Sequence, residues 1–181
     1  MISISSLLLS IGIPSFSDSN IWEVIGKAEY EIEVPFIPEE RIKAITNDLL
    51  VNACNEKFET IKETSIESIA NYLKNKYGVN IVVIDDLGRY FNGEKILAKA
   101  TKNPPLIYID SAINSDVHRK RFTIAHEIGH FILHSEITLF GNIDTDTSIN
   151  GGFYISDKNL KNMEIQANKF AANLLMPEGV V

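Results

Sequence analysis

Hydrophobic residues recur at helical spacing over two stretches that follow residue 38. The first apolar face consists of Ile42, Ile45, Leu49 and Ala53. Because Pro38 is well placed for a first turn, this face predicts a helix from about residue 39 to the high 50s. The second apolar face consists of Ile66, Ile69, Ala70, Leu73 and Tyr77. A capping box formed by Thr64 and Glu67 should begin the second helix, and Gly78 should end it.

From residue 79 onward the pattern changes to that of short strands. Residues 79–84 predict one strand, and Asn92-Gly93 predicts a two-residue hairpin turn with residues 95–100 as the return strand. Residues 106–109 predict a further strand, and residues 29–34 alternate as in a half-buried strand. Two helices, a small antiparallel or mixed sheet and a helix-rich end together indicate an α+β fold.

Residues 1–38 differ in composition from the rest of the chain. They carry five acidic residues and a single base, Lys27, and they end in Val34-Pro35-Phe36-Ile37-Pro38. This composition predicts an N-terminal extension, residues 1–38, that closes in an extended linker flanked by prolines. Residues 39–181 are then expected to form the main domain.

Composition and charge restrict the class of protein and its partners. The 181 residues are 45% hydrophobic with a net charge of −7, which argues against direct nucleic-acid binding because phosphate attraction needs a concentrated basic surface. Apolar runs stay below the length of about 18 residues that spans a membrane. No base precedes the first apolar stretch as in a signal peptide. The lone Cys54 excludes an internal disulfide and a cysteine zinc ribbon. A cytoplasmic protein with protein or peptide partners is expected.

All four histidines fall within seventeen residues, at His118, His126, His130 and His134. His126-Glu127-Ile128-Gly129-His130 is an H-E-x-x-H motif, which on a helix places both histidines on one face, within reach of one metal ion. Glu127 lies about 100° around the helix from His126. It would therefore lie beside the ion, able to take a proton from metal-activated water. Asn114 or Ser115 should cap this helix, with Asp116 in its first turn.

A tetrahedral catalytic zinc site needs a third protein ligand besides two histidines. The acidic candidates that follow the motif are Glu136, Asp144, Asp146, Asp157 and Glu164. Glu164 is favoured because it lies in an amphipathic run, residues 157–175. The small alanines of this run would allow the predicted helix to approach another helix closely. Asn168 lies on the same helical face and could hold the outer nitrogen of a ligand imidazole. Asp157 suits an N-cap or a first turn better than a ligand role.

The remaining polar residues near the motif have less specific interpretations. Each step of four residues turns the helical face by about 40°, so His134 is expected to have a structural or cleft-lining role. His118 should lie on the surface. A packed role for Tyr154 is favoured over assistance to an oxyanion. Residues 141–152 predict a mobile loop between the two metal-bearing helices.

Two motifs in order resemble the ImmA/IrrE family of zinc metallopeptidases over roughly residues 39–177. The first motif is Arg121-Phe122-Thr123-Ile124-Ala125-His126-Glu127-Ile128-Gly129-His130 with Leu133-His134, and the second is Glu164-x-x-Ala167-Asn168-x-Phe170-Ala171 with Leu174-Leu175-Met176-Pro177. The resemblance implies a minimal zincin-like domain with zinc on His126, His130 and Glu164. It also implies that Glu127 acts as the general base.

The implied activity is that of a zinc-dependent endopeptidase. Family members typically act beside helix-turn-helix repressors, and some cleave them, so a regulatory protein of this kind is the expected substrate. A flexible segment of it should lie extended along the sheet edge beside the metal helix. The alternative is a zinc-bound, non-proteolytic interaction module, such as an anti-repressor or a toxin–antitoxin partner. An intact Glu127 favours the enzyme, because a pure binding site does not need it.

Overall fold

The computed structural model describes residues 30–55, 58, 61, 64–90, 93–134 and 153–177. The elements within these ranges are β1 Tyr30–Glu31, α1 Glu39–Cys54, α2 Ile66–Tyr77, β2 Asn80–Ile84, β3 Ala98–Thr101, β4 Leu106–Asp110, α3 Val117–Leu133, β5 Phe153–Tyr154 and α4 Asp157–Leu175. A short 3-10 turn, Ser111–Ile113, leads from β4 towards α3. None of the helices in the described ranges has both the length and the apolar character needed to cross a membrane.

A three-stranded mixed sheet with the order β2-β4-β3 forms the β part of the fold. β4 pairs in parallel with β2 and antiparallel with β3, so the predicted α+β class is confirmed. The predicted pairing of residues 79–84 with residues 95–100 is wrong, because β4 lies between these two strands. On either side of the predicted turn, however, Arg89 and Lys95 do form an antiparallel bridge. β4 takes the central place because its Ile107 and Ile109 are fully buried, whereas β2 and β3 remain partly exposed.

The hydrophobic core lies between the sheet and the four helices. α3 packs on β3 and β4 on one side and on α4 on the other, and α1 packs on both α2 and α4. The fully buried side chains at the centre of this core are Ile42, Leu50, Ile69, Ile107, Ile109, Ile128, Phe170 and Leu174. The core therefore fixes α3 and α4, the two helices that carry the H-E-x-x-H motif and Glu164, against each other.

The beginning of α2 differs from the sequence prediction. Ser65 is the N-cap, and its hydroxyl accepts a hydrogen bond from the backbone N–H of Ser68. The predicted capping box is wrong because the buried Thr64 hydroxyl donates instead to the carbonyl of Leu174, at 2.7 Å. The end of α2 agrees with the prediction, since Gly78 takes a left-handed conformation with φ +73°.

The ends of α1 and α3 also differ from prediction by a few residues. α1 ends at Cys54, before the predicted high 50s, and Asn55 follows in a left-handed conformation. Asp116 is itself the N-cap of α3 and accepts a hydrogen bond from the backbone N–H of Arg119 at 2.9 Å. The expected cap at Asn114 or Ser115 is wrong because residue 114 already ends the preceding 3-10 turn.

Residues 31–35 lie along the first half of α4. Val34 packs against Ile155 and Met163, and β1 pairs in parallel with β5. The Nδ2 atom of Asn159 on α4 donates to the Glu31 carboxylate at 2.8 Å and to the Ile32 carbonyl at 3.1 Å. This part of the predicted N-terminal extension thus contacts the helix that carries Glu164. The domain boundary at residue 38 stays a prediction.

Candidate metal centre

Two histidines of α3 bring their ring nitrogens together at the surface of the domain. His126 and His130 are one helical turn apart, and their Nε2 atoms are 3.0 Å from each other. Their side chains are 16% and 14% exposed. The H-E-x-x-H motif therefore lies on a helix, as its spacing predicts, with both imidazoles on the face that solvent can reach.

Glu164 on α4 completes this group from the facing helix. Its Oε2 atom is 3.3 Å from His126 Nε2, and its Oε1 atom is 3.2 Å from His130 Nε2. Ligand atoms bound tetrahedrally to zinc at about 2.1 Å lie roughly 3.4 Å from one another. The spacings in the structure are slightly shorter than that value, so these three side chains are close enough to share one metal ion. We call them the His-His-Glu cluster.

Among the other acidic candidates for a third ligand, the structure describes Asp157, which does not belong to the His-His-Glu cluster. Asp157 lies in the first turn of α4, directly after its N-cap Ser156, as the sequence suggests. Glu136, Asp144 and Asp146 lie outside the described residues, as does the predicted loop over residues 141–152. Within the described ranges, the cluster is the one group of histidine, cysteine or acidic side chains close enough to share an ion.

The electrostatics of the His-His-Glu cluster favour a cation. Hydrogen bonds with His126 and His130 hold the pKa of the Glu164 carboxyl far below its ordinary value. Burial lowers the pKa of His126, but the hydrogen bond with Glu164 and the nearby charge of Glu127 more than offset it, so the net shift is upward. An ionised carboxylate and two imidazole nitrogens therefore converge on one point.

Glu127 lies beside the cluster without belonging to it. Its side chain is buried between α3 and the sheet, with 9% of the residue exposed. Burial raises the pKa of its carboxyl, although both histidines and a backbone hydrogen bond from Ala100 of β3 oppose this. A carboxyl beside the His-His-Glu cluster, with a pKa shifted towards neutral, has the properties of a general base.

Each histidine of the His-His-Glu cluster has a partner on its outer nitrogen. His126 Nδ1 is 3.0 Å from Asn168 Oδ1, which is the contact that the spacing of Asn168 from Glu164 suggests. His130 Nδ1 is 3.1 Å from His134 Nδ1. His134 is 1% exposed, which agrees with the structural role expected from its position, and burial lowers its pKa to about 4. His118 is exposed, also as expected.

Sequence reasoning missed two residues that extend the contacts of His134. Gln166 Oε1 is 3.1 Å from His134 Nε2, and Gln166 Nε2 donates to the carbonyl of Pro35 at 2.9 Å. The sequence shows a glutamine two positions after Glu164, but its partner Pro35 is 131 residues away. For Tyr154 the structure describes only the backbone, so its predicted packed role stays untested.

The fold and the cluster together define a small zincin-like α+β domain. Comparison of the sequence with models of known families supports this assignment. The sequence model of the IrrE N-terminal-like domain, peptidase family M78, matches residues 74–181, which is more than half of the chain. The chain belongs to this family, and the resemblance seen in its two motifs is confirmed. A sequence search of curated proteins gave no match.

Proposed function

We propose that the protein is a zinc-dependent endopeptidase that cuts a regulatory protein in the cytoplasm. The observation that carries this proposal is the convergence of His126, His130 and Glu164, with Glu127 buried beside them, in a chain of a peptidase family. Two histidines and one carboxylate form a ligand set that catalytic zinc sites use, and this set leaves a fourth position open. A bound zinc ion supplies Lewis-acid chemistry, polarising a carbonyl group and making water more acidic.

Glu127 is the residue of this chain that moves protons. It takes a proton from the attacking water, whose oxygen forms a bond to the carbonyl carbon of the substrate peptide. It then delivers this proton to the leaving nitrogen as the C–N bond breaks, so that the products are a carboxylate and an amine. The raised pKa of Glu127 suits both transfers, because a base of this kind accepts and returns a proton with little energetic cost.

The substrate-binding element in this proposal is β3, an edge of the described sheet. The N–H of Asp110 donates to the carbonyl of Leu97 at 2.9 Å. Because hydrogen-bonded and non-hydrogen-bonded pairs alternate along an antiparallel ladder, the backbone groups of Ala98 and Ala100 point away from β4. The N–H of Ala100 already donates to the Glu127 carboxylate, so the groups that this edge offers to a peptide are the carbonyl of Ala100 and the backbone groups of Ala98. A peptide that pairs with this edge would therefore pass the general base and the cluster.

We infer that the substrate is an extended segment, and the resemblance to the family suggests that it belongs to a helix-turn-helix repressor. A segment without internal pairing can add as a strand and satisfy its backbone groups on β3. Folded domains should resist, because their backbone donors and acceptors are already paired. The expected cleavage site is therefore a linker between folded parts of such a repressor.

The test is a digest of an unstructured peptide library, with zinc present and the products identified by mass spectrometry. The Glu127→Gln variant should keep its zinc and lose activity by about 10²- to 10⁴-fold, since glutamine preserves shape and cannot accept the proton. Glu67→Gln changes an exposed acid on α2 and serves as the control with unchanged activity. Equal cleavage by wild type and Glu127→Gln would refute the role of Glu127. Zinc binding with no cleavage of any peptide or repressor would favour the interaction module.

A further inference from the structure

Phe122 is a partly exposed aromatic residue on α3, one helical turn before His126. Its exposed fraction is 41%. Its ring centroid lies 6.4 Å from that of His126, with an angle of 32° between the two ring planes. The apolar surface of Phe122 therefore adjoins the side of the His-His-Glu cluster that solvent can reach.

The register between α3 and α4 explains why this ring is left open. His126 Nδ1 is 3.0 Å from Asn168 Oδ1, and one turn further along α3 the second histidine of the cluster faces Glu164. Because Glu164 comes one turn before Asn168, the two helices run antiparallel. One turn before His126 and one turn after Asn168, the same register places Phe122 opposite Ala172.

The two helices are still side by side at the level of Phe122. Thr64 connects them, because its carbonyl accepts a hydrogen bond from Arg121 at 2.9 Å and its hydroxyl donates to the carbonyl of Leu174 at 2.7 Å. The single methyl group of Ala172 is too small to cover a phenyl ring, which agrees with the exposure of Phe122. We call the surface formed by these two residues the Phe122–Ala172 surface.

This surface and β3 lie on opposite sides of His126. Around α3, Phe122 lies about 40° to one side of His126 and Glu127 about 100° to the other. The hydrogen bond from Ala100 to Glu127 identifies the second side as that of β3. A peptide paired with β3 lies over α3, because α3 packs on β3, and its side chains point alternately towards α3 and away from it. One of the two residues that flank the scissile bond therefore directs its side chain towards α3, within reach of Phe122.

We propose that Phe122 is a specificity-determining residue, whose ring forms with Ala172 a subsite for a large apolar side chain next to the scissile bond. The inference rests on the proposed function, which supplies the peptide and the position of the cut. Leucine or phenylalanine suits this surface, because its binding removes apolar area of both partners from water. A phenylalanine can also stack on the ring of Phe122. A charged side chain would lose hydration without a polar partner.

The first experiment measures peptide binding instead of cleavage. It uses the Glu127→Gln variant with zinc in the buffer, so that peptides stay intact. The probes are short fluorescein-labelled peptides of alanine and serine with one variable residue, which is leucine, phenylalanine, serine or glutamate. By fluorescence anisotropy, the leucine and phenylalanine peptides should bind about 10-fold more tightly than the other two. Equal affinities, or no binding of any peptide, would overturn the inference.

Two substitutions assign the preference to the Phe122–Ala172 surface. Phe122→Ala removes the ring, and Ala172→Leu covers it from the facing helix. Each should reduce the preference for leucine over serine from about 10-fold to less than about 2-fold, with the affinity for the serine peptide unchanged. Phe36→Ala removes a phenylalanine that is 85% exposed in the segment before α1. It is the control and should keep the full preference.

Zinc affinity distinguishes a subsite from a merely structural role of the ring. Competition with a chromophoric chelator should give wild-type affinity in Phe122→Ala and Ala172→Leu, because neither change touches a residue of the cluster. Ala172→Leu keeps Phe122 beside His126, so it decides the question if the loss of the ring disturbs that histidine. A preference for leucine that persists in both variants would overturn the inference.

Two results separate this inference from the proposed function. Cleavage of the peptide library by the wild type, with no preference for apolar residues on either side of the cut, would overturn the subsite and leave the peptidase proposal standing. Peptides that bind through Phe122 but are never cut by the wild type would overturn the peptidase proposal. The subsite would then stand as part of a peptide-binding site.

Discussion

Gly129 of α3 and Phe170 of α4 approach each other so closely that a methyl group at residue 129 would be crowded. A Cβ atom on Gly129 would lie 3.1 Å from Phe170 Cδ1 and 3.2 Å from Phe170 Cβ. It would also lie 3.3 Å from the Cα atom of Ala167. Ala167 Cα is a backbone atom and Phe170 Cβ is bonded directly to the backbone, so neither atom can move aside by rotation of a side chain. The two helices thus cross at a separation that glycine permits, and this crossing brings Glu164 to His130.

Gly129→Ala should therefore disturb both the core and the cluster. Overpacking in a core typically costs about 1–3 kcal/mol, whereas alanine gains about 1 kcal/mol over glycine in a helix. We expect a net loss of up to about 2 kcal/mol in the free energy of unfolding, measured by urea denaturation of the metal-free protein. Zinc affinity should also fall, because Glu164 moves with α4. A variant with wild-type stability and zinc affinity would show that α3 and α4 can accommodate a methyl group at residue 129.

Thr64→Val should destabilise the junction between α2 and α4. The Thr64 hydroxyl is buried and donates to the Leu174 carbonyl near the end of α4. Valine keeps the shape but leaves this carbonyl without its donor, which costs about 1–3 kcal/mol. Thr46→Val is the matched control, since the Thr46 hydroxyl bonds to Lys43 within its own helix. Chemical denaturation measures the free energy of unfolding of both variants. Equal losses would show that the hydrogen bond from Thr64 to Leu174 contributes no more than the one within α1.

Asp110 should make stability depend on pH in the acidic range. Backbone N–H groups of Leu87 and Ala112, with the Lys95 ammonium, hold the pKa of its carboxyl down at about 2. This folded-state pKa lies below the unfolded value of about 3.9. Its contribution to stability is therefore complete above the unfolded pKa and is lost as the pH falls through the folded pKa.

Asp110→Asn isolates this contribution from that of the other carboxyls. The variant should be less stable than wild type at neutral pH, and the difference should shrink between about pH 4 and about pH 2. Urea denaturation midpoints across this range measure the difference. A difference that stays constant with pH would contradict the assigned role of the ionised carboxylate.

Local periodicity was sufficient to predict the helices and two of the three residues of the His-His-Glu cluster. His126 and His130 are separated by four residues, so a helix alone places them together. Asn168 stands in the same relation to Glu164, and its contact with His126 follows from that spacing once α4 faces α3. The position of Glu164 beside the histidines of α3 was predicted from the resemblance of the two motifs to a known family.

Contacts between residues far apart in sequence could not be predicted in this way. The place of β4 at the centre of the sheet depends on which strand is most deeply buried, which periodicity over five residues does not report. Thr64 matched a capping pattern, yet its hydroxyl bonds to Leu174, which is 110 residues away. Gln166 and Pro35 meet only after the segment before α1 has packed on α4.

Titration of the metal-free protein with zinc tests the central claim most directly. The wild type should bind one zinc ion per chain. Glu164→Ala should weaken binding by more than the roughly 10- to 100-fold typical of outer partners, because it removes a direct ligand. Asp157→Ala removes an exposed acid from the first turn of the same helix and should keep wild-type affinity. A wild-type protein that binds no zinc, or a Glu164→Ala variant that binds it at full strength, would contradict the assignment of His126, His130 and Glu164 as the metal ligands.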